Sequence, residues 1–266
     1  MTILIVLTIA AGILGMLFGS FISVAIDRLH TKEKGMVTGR SRCEACKKTL
    51  HAKDLVPLLS FLVLRGKCRH CSARISYMYP ILELITGALF ALMYVKFPFL
   101  TESLVFSESM MGLFVLHAFY TIVLVFTFFY DLRYMEVADE VLVPGIIIAL
   151  IATIGAPLTP SLIDALLGMA IPVGFFLLQI LVSKGRWIGG GDLRVGAFMG
   201  AILGWQLVIV ALFASYMVGS IISIGIALKK KTLTGIQVPF APFLVAGTYI
   251  AMFFGNDLIK WYLGSL

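Results

Sequence analysis

Two aspartates stand beside long apolar runs of the chain, where a carboxylate is costly and therefore indicates a functional site. Asp131 ends one run, and Asp192 follows the glycine triplet 189–191 just before another. When two carboxylates lie close together, one holds a proton while the other stays ionised. The ionised group activates a water, and the protonated group polarises a peptide carbonyl and later protonates the leaving amine. The residue types thus predict an acid pair that hydrolyses a peptide bond.

Each acid also has a purely structural interpretation. Asp192 can cap the helix that follows a glycine turn, and Asp131 can be a solvated acid at a helix end. Asp139 precedes the run that starts at Val141, so we expect it to be an N-cap; it is also the alternative to Asp131 in the acid pair. His117 stands alone inside a run, and we expect it to be packed or hydrogen-bonded rather than catalytic.

Four cysteines form two C-x-x-C pairs, Cys43 with Cys46 and Cys68 with Cys71. Two such pairs supply the four sulfurs of a tetrahedral zinc site, and four sulfurs leave no coordination position open, so the predicted metal is structural. A reducing cytosol favours thiolates over disulfides. The alternatives are redox or incidental dithiols, and His70 as a replacement for one cysteine ligand.

The elements that position these residues are membrane helices. Hydrophobic residues make up 60% of the chain and charged residues 13%, with a mean hydropathy of +1.03. A membrane span needs roughly 20 apolar residues. Apolar runs cover residues 3–26, 80–95, 110–130, 141–156, 162–182, 195–203, 207–228 and 240–254. We therefore predict an all-α polytopic membrane protein with about eight transmembrane helices, the first of them retained.

Lysine and arginine predict which side each loop faces. Of the 21 basic residues, 19 fall in segment 28–79 and the alternate loops after it, whereas only Lys96 and Lys260 fall on the opposite face. Basic loops face the cytoplasm, which places both termini outside. Two runs separate Asp131 from Asp192, so both acids are expected at the cytoplasmic boundary. The formal charge of +7 is thereby explained by topology, and no nucleic-acid partner is expected.

Several motifs carry a resemblance that spans nearly the whole chain. They are 19–29 (GSFISVAIDRL), the two cysteine pairs, 54–57 (DLVP), 64–68 (LRGKC), 75–76 (IS), 79–80 (YP), 83–84 (EL), 131–133 (DLR), 189–192 (GGGD) and 238–243 (VPFAPF). Together they resemble the type IV prepilin peptidases, the leader peptidases of pilins and type II secretion pseudopilins. Ser23, Glu44 and Met78 depart from the residues usual in that family.

The resemblance implies an activity, cofactors and partners. By resemblance, Asp131 and Asp192 are the catalytic aspartates of an enzyme of the bacterial inner membrane. It would cut the basic leader from a prepilin or pseudopilin on the cytoplasmic side. Many members with the cysteine loop then methylate the new N-terminus with S-adenosylmethionine. The expected partners are these substrates and membrane lipids.

The resemblance also gives a division of the chain and leaves two alternatives. The expected parts are a first transmembrane helix (1–27), a small cytoplasmic loop domain (28–79) that holds the four cysteines and is associated with methyl transfer, and a membrane aspartyl peptidase domain (80–266). Tyr130-Asp131 with a glycine-flanked Asp192 is also similar to presenilins and signal peptide peptidases, although the cysteine loop and motif 19–29 favour the prepilin peptidases. The second alternative is a proton-coupled transporter in which the two acids relay protons.

Overall fold

Most of the described chain is α-helical. The computed structural model describes residues 2–32, 39–100, 104–155, 159–230 and 237–264. The helices are α1 (Thr2–Thr31), α2 (Leu59–Val63), α3 (Met78–Lys96), α4 (Glu108–Tyr134), α5 (Asp139–Gly155), α6 (Leu162–Ser183), α7 (Gly190–Lys230) and α8 (Ala241–Gly264), with a short 3-10 helix at Ala52–Asp54. In hydrocarbon every backbone polar group needs a partner, and a helix supplies it within the segment. The predicted all-α fold is confirmed.

Two compact units divide the chain, residues 1–126 and 127–266. In the first unit α1 packs along α3, with glycines of α1 directly against residues of α3. A Cβ added at Gly15 would lie 2.6 Å from Cβ of Phe90, and one added at Gly19 would lie 2.8 Å from Cα of Glu83. Small residues let two membrane helices approach closely, which strengthens their van der Waals contact.

The cysteine-bearing segment connects α1 to α3 in the first unit. It contains the 3-10 helix and α2, which contact each other. The backbone N–H of Leu58, just before α2, donates to Oε2 of Glu83 at 2.9 Å. Glu83 lies in α3 and is buried. This bond therefore attaches α2 to a membrane-spanning helix.

In the second unit α7 packs against both α6 and α8. A Cβ added at Gly200 would overlap the carbonyl of Gly168 in α6, and one added at Gly247 in α8 would overlap the Ser215 hydroxyl and the Ala211 carbonyl of α7. Both contacts bring helix backbones together, as small residues do in membrane bundles.

α7 reverses direction at Gly204, where φ is 76° and ψ is 176°. The helix starts just after the C-terminal end of α6, and Gly204 lies beside Pro160, just before α6 begins. Beyond the break, Tyr216 is hydrogen-bonded to Gln179, near the C-terminal end of α6 again. Segments 190–203 and 205–230 are therefore two antiparallel helices, as the separate sixth and seventh apolar runs predict.

Six of the described helices, α1, α3, α4, α6, α7 and α8, are long and apolar enough to cross a membrane. α5 has 17 residues and matches the fourth apolar run. With α5, and with the two segments of α7 taken separately, the described ranges contain one apolar helix for each predicted run. The protein is a multi-pass membrane protein.

Candidate active site and metal centre

Asp131 lies in the last turn of α4 and is buried. Its Oδ2 accepts a hydrogen bond from the backbone N–H of Ala241 at 3.0 Å. Ala241 is the first residue of α8, so this N–H is one of those that have no partner inside the helix. The positive end of the α8 dipole thus faces the carboxylate.

Asp192 lies in the first turn of α7 and is half-buried. Its Oδ2 accepts from the backbone N–H of Gly189 at 3.3 Å, and its own N–H donates to the Gly189 carbonyl at 3.2 Å. A side chain at the third helical position that reaches back in this way forms half of a capping box. Asp192 therefore caps the start of α7, as one interpretation of the sequence predicts. The capping bond uses Oδ2 only, so it is compatible with a catalytic role for the same side chain.

The fold brings the two acids together. Asp131 and Asp192 are 61 residues apart in sequence, yet in the folded chain Asp192 lies within reach of the charge of Asp131. Within the part of the chain that the structure describes, each carboxylate makes a single hydrogen bond, the one to a backbone N–H at a helix start. Each acid is thus held at one oxygen, and the other oxygen accepts no hydrogen bond from any residue that the structure describes.

The glycine triplet before Asp192 has a packing role at one position. A Cβ added at Gly191 would lie 2.7 Å from Cγ2 and 2.9 Å from Cβ of Val137, whereas one added at Gly190 would meet nothing within 4 Å. Among the described glycines, left-handed φ values occur at Gly66, Gly185 and Gly204 and at no member of the triplet. Gly191 is therefore the position at which the loop after α4 closes on the start of α7.

Asp139 is the first residue of α5. Its Oδ1 pairs with Nη1 of Arg194 at 2.7 Å, and both side chains are 47% exposed. The acid that sequence offered as an alternative member of the pair is thus engaged by an arginine two positions after Asp192. His117 is held as expected, since its Nδ1 lies 2.9 Å from the Leu113 carbonyl and its ring contacts Phe97.

The four cysteines lie in two knuckles with the same backbone pattern, although the sequence shows no convincing repeat. The N–H of Cys43 bonds to the Lys48 carbonyl and the Lys47 N–H to the Cys43 carbonyl; Cys68 bonds in the same way with Ala73 and Ser72. Lys47 and Ser72 both have positive φ. Bridges Arg42–Thr49 and Lys67–Arg74 close the two knuckles.

The knuckles bring all four sulfurs together. The Sγ atoms of Cys43, Cys46, Cys68 and Cys71 lie within 4.8 Å of one another, and those of Cys43 and Cys71 are 3.8 Å apart. Sulfurs bound tetrahedrally to zinc at ~2.3 Å are ~3.8 Å apart. Hydrogen bonds from the backbone N–H groups of His70 and Cys71 lower the pKa of Cys68, which favours the thiolate that a metal requires, whereas burial and the neighbouring sulfurs raise the pKa of Cys71. The cluster can therefore hold a metal ion.

An ion pair fastens the second knuckle to the 3-10 helix. Nε of Arg69 donates to Oδ1 of Asp54 at 2.8 Å, and the Asp54 side chain is only 2% exposed. Burial alone would raise the pKa of Asp54, but the Arg69 guanidinium and the His51 N–H hold it below its ordinary value. His70 is exposed, and its ring lies beside the His51 ring rather than among the sulfurs.

Sequence reasoning did not identify two contributors to the acid site as site residues. The Ala241 N–H is a backbone donor, so its residue type carries no information about the bond to Asp131. Val137 is an ordinary apolar residue whose role depends on its contact with Gly191. Pro242, at the second position of α8, was the available clue to a helix start at that point.

Comparison with known proteins gives consistent matches. The model of the bacterial peptidase A24 N-terminal domain matches residues 13–97, and that of the type IV leader peptidase family matches residues 118–224. A relative from Bacillus subtilis is 31% identical over 94% of this chain and 96% of its own length. A relative from Aeromonas salmonicida is 31% identical over 87% and 77%, and one from Pseudomonas aeruginosa 26% identical over 94% and 91%. All three are named prepilin leader peptidase/N-methyltransferase. No solved structure gives a significant match.

Proposed function

This chain belongs to the type IV leader peptidase family, and we propose that it is a membrane aspartyl endopeptidase whose catalytic residues are Asp131 and Asp192. Its substrate is the leader junction of a type IV prepilin or pseudopilin. The observation that supports this most directly is that two carboxylates from separate helices lie within reach of each other's charge, each with one oxygen bonded to a backbone N–H at a helix start. Neither the presenilin-like nor the transporter alternative is favoured by the names of the relatives.

The chemistry follows from the two environments. The ionised carboxylate takes a proton from water while the resulting hydroxide attacks the scissile carbonyl carbon. The protonated carboxylate donates a hydrogen bond to the carbonyl oxygen, and its proton reaches the leaving amine when the C–N bond breaks. The Ala241 and Gly189 N–H groups hold one oxygen of each acid, so the free oxygens keep their orientation during these transfers.

The decisive experiment is cleavage of one prepilin by purified full-length variants. Asp131→Asn and Asp192→Asn should each abolish cleavage, because asparagine keeps the size but removes the titratable group. The double variant should be scarcely worse than either single one, since the pair acts as a unit. Asp164→Asn serves as a control, because this acid is in the same unit but lies at the start of α6 and bonds to Ser161.

Asp139→Asn separates the two assignments of the acid pair. It should keep measurable activity, because Asp139 is engaged by Arg194. If Asp139→Asn lost cleavage while Asp131→Asn kept it, Asp139 and not Asp131 would be the catalytic partner of Asp192. Full cleavage by Asp192→Asn would refute the aspartyl mechanism.

Zinc is the metal that the four-cysteine cluster fits best. Four thiolates at tetrahedral spacing are typical of a closed structural zinc site, in which the metal contributes folding free energy. Purified protein should carry about one zinc per chain, and Cys43→Ser or Cys71→Ser should lower it. Metal-free protein with an intact cysteine loop would contradict the assignment.

N-methylation of the new N-terminus is the second activity. It is supported by the match of residues 13–97 to the A24 N-terminal domain and by the names of the relatives. S-adenosylmethionine, when bound, supplies the methyl group. The sequence contains no glycine-rich nucleotide loop of the G-x-G-x-x-G type, so the motifs do not locate the site that binds it. Mass spectrometry of a prepilin incubated with enzyme and S-adenosylmethionine reports both activities. A cleaved product that had gained no methyl group would mean that the protein has the peptidase activity only.

The topology and the domain division complete the proposal. The basic loops face the cytoplasm, both termini are outside, and the parts are 1–27, 28–79 and 80–266. A reporter fused at Thr49 should be cytoplasmic and one fused after residue 266 external. A cytoplasmic C-terminus would contradict the count of eight crossings.

A further inference from the structure

One face of α2 is apolar and exposed. Leu59, Leu62 and Val63 stand at spacings that share one side of a helix, and they are 61%, 68% and 75% exposed. Leu55 and Val56, just before the helix, are exposed as well. We call these five residues the α2 apolar face. Contiguous apolar surface of this kind marks an interaction site rather than a water-facing surface.

The opposite side of α2 packs against other residues of the same segment. The ring of Phe61 lies 5.5 Å from the ring of Tyr77 and covers Gly66, where an added Cβ would lie 3.1 Å from it. The helix is therefore fixed in orientation by the contacts of Phe61, and the α2 apolar face is the side that these contacts leave exposed.

Two contacts set the level of α2 relative to the membrane. The Leu58 N–H donates to Glu83, which lies in the second turn of α3, and side chains of a helix lean toward its N-terminus. Tyr77, which contacts Phe61, immediately precedes α3. α3 spans the membrane, and its own outward residues Ile81 and Leu84 are exposed apolar side chains. α2 thus lies beside the end of a membrane-spanning helix, where the lipid headgroups begin.

The charges around α2 complement a lipid surface. Residues 55–64 contain no charged side chain, and Lys53, Arg65 and Lys67 flank them; all three are exposed. Asp54, the acid next to them in sequence, is buried in its pair with Arg69, and Glu83, which bonds to Leu58, is buried as well. An apolar face with basic residues at its edges is the pattern of a segment that lies in the interface of an anionic membrane.

We propose that α2 is a membrane-interface helix: the α2 apolar face inserts among the lipids at the end of α3, with Lys53, Arg65 and Lys67 against anionic headgroups. This contact, together with the Glu83 bond, holds the cysteine cluster at the membrane surface. The inference does not depend on the peptidase activity.

Tryptophan fluorescence in nanodiscs tests the proposal with the full chain. Leu62→Trp places a probe on the α2 apolar face, and Phe61→Trp places a matched probe one residue away on the inward side. The emission of the wild-type protein, from Trp187, Trp205 and Trp261, is subtracted. Nanodiscs contain anionic phospholipid with or without bromine in the acyl chains, and iodide serves as the aqueous quencher.

The added emission of Leu62→Trp should be largely lost in brominated nanodiscs and protected from iodide, while that of Phe61→Trp should change much less with bromine. Val63→Trp repeats the measurement if Leu62→Trp does not fold. Bromine quenching that is equal in zwitterionic nanodiscs would overturn the role of the headgroups.

A probe at Leu62 that is quenched by iodide and not by bromine would refute the insertion. Protection of the probe from iodide without bromine quenching would also refute the insertion. Protection that depended on protein concentration would mean that the α2 apolar face binds a second copy of the chain. Protection that appeared only when prepilin was added would mean that this face binds the substrate.

Discussion

Replacing Gly191 with alanine tests whether the contact between the α4–α5 loop and the start of α7 holds Asp192 in place. The added Cβ would lie 2.7 Å from Cγ2 and 2.9 Å from Cβ of Val137, whereas carbon atoms in contact are normally ~3.5–4.0 Å apart. Valine is branched at Cβ and stiff at χ1, so it cannot turn away without cost. Either the loop or the first turn of α7 must move.

The magnitudes favour damage over gain. Alanine is a better helix former than glycine by ~1 kcal/mol in a helix interior, and Gly191 lies only in the first turn of α7. Forcing an extra methyl group into a packed contact costs ~1–3 kcal/mol. Gly191→Ala should therefore be destabilising on balance. Because a displacement of ~1 Å at a reacting group can cost ~10²-fold in rate, cleavage should fall by about that factor.

The assay is single-turnover cleavage of a prepilin by equal amounts of folded protein, with thermal unfolding measured in the same detergent. Gly190→Ala is the matched control, because an added Cβ there meets nothing within 4 Å, and it should cleave close to the wild-type rate. Adding Val137→Ala to Gly191→Ala should recover part of the loss, since it removes Cγ2 but keeps Cβ. Wild-type cleavage by Gly191→Ala, or an equal loss in Gly190→Ala, would refute the reasoning.

Two further changes test the hairpin in α7 and the cysteine segment. Gly204→Ala forces a side chain onto a residue with φ 76° and should lower the free energy of unfolding by ~1–3 kcal/mol, measured by thermal unfolding. Gly174→Ala is the control, because an added Cβ there meets nothing within 4 Å. Equal unfolding temperatures for the two variants would contradict a reversal of the chain that requires glycine at position 204. Asp54→Asn removes the ionised partner of Arg69 and should speed proteolysis of the cysteine segment. The pKa of Asp54 is held below its ordinary 3.8. The difference in proteolysis rate between Asp54→Asn and wild type should therefore be full above that pH and vanish as the pH falls through the lowered pKa. A difference in rate that persists below the lowered pKa would contradict the ionic role.

The sequence by itself determined the helical class, the number of apolar segments and both sets of candidate residues, because each depends on local information. Hydropathy depends on neighbours along the chain, and the C-x-x-C spacing already places two sulfurs near one point. The ends of the helices were less well determined. α8 continues to Gly264, whereas the last run stops at 254, because Asn256, Asp257 and Lys260 interrupt hydropathy without interrupting a helix.

Tertiary structure alone decided how the acids are held. The N–H that meets Asp131 belongs to a residue 110 positions away, and a backbone donor looks the same in every residue. Likewise, nothing local distinguishes Gly191, which must lack a side chain because Val137 packs against it, from Gly190, which need not. The pairing of Asp139 with Arg194 and the common register of the two knuckles also depend on contacts between distant or separately folded segments. Hydropathy and spacing report what one segment prefers, whereas these roles depend on which atoms of other segments lie within hydrogen-bond or van der Waals distance after folding.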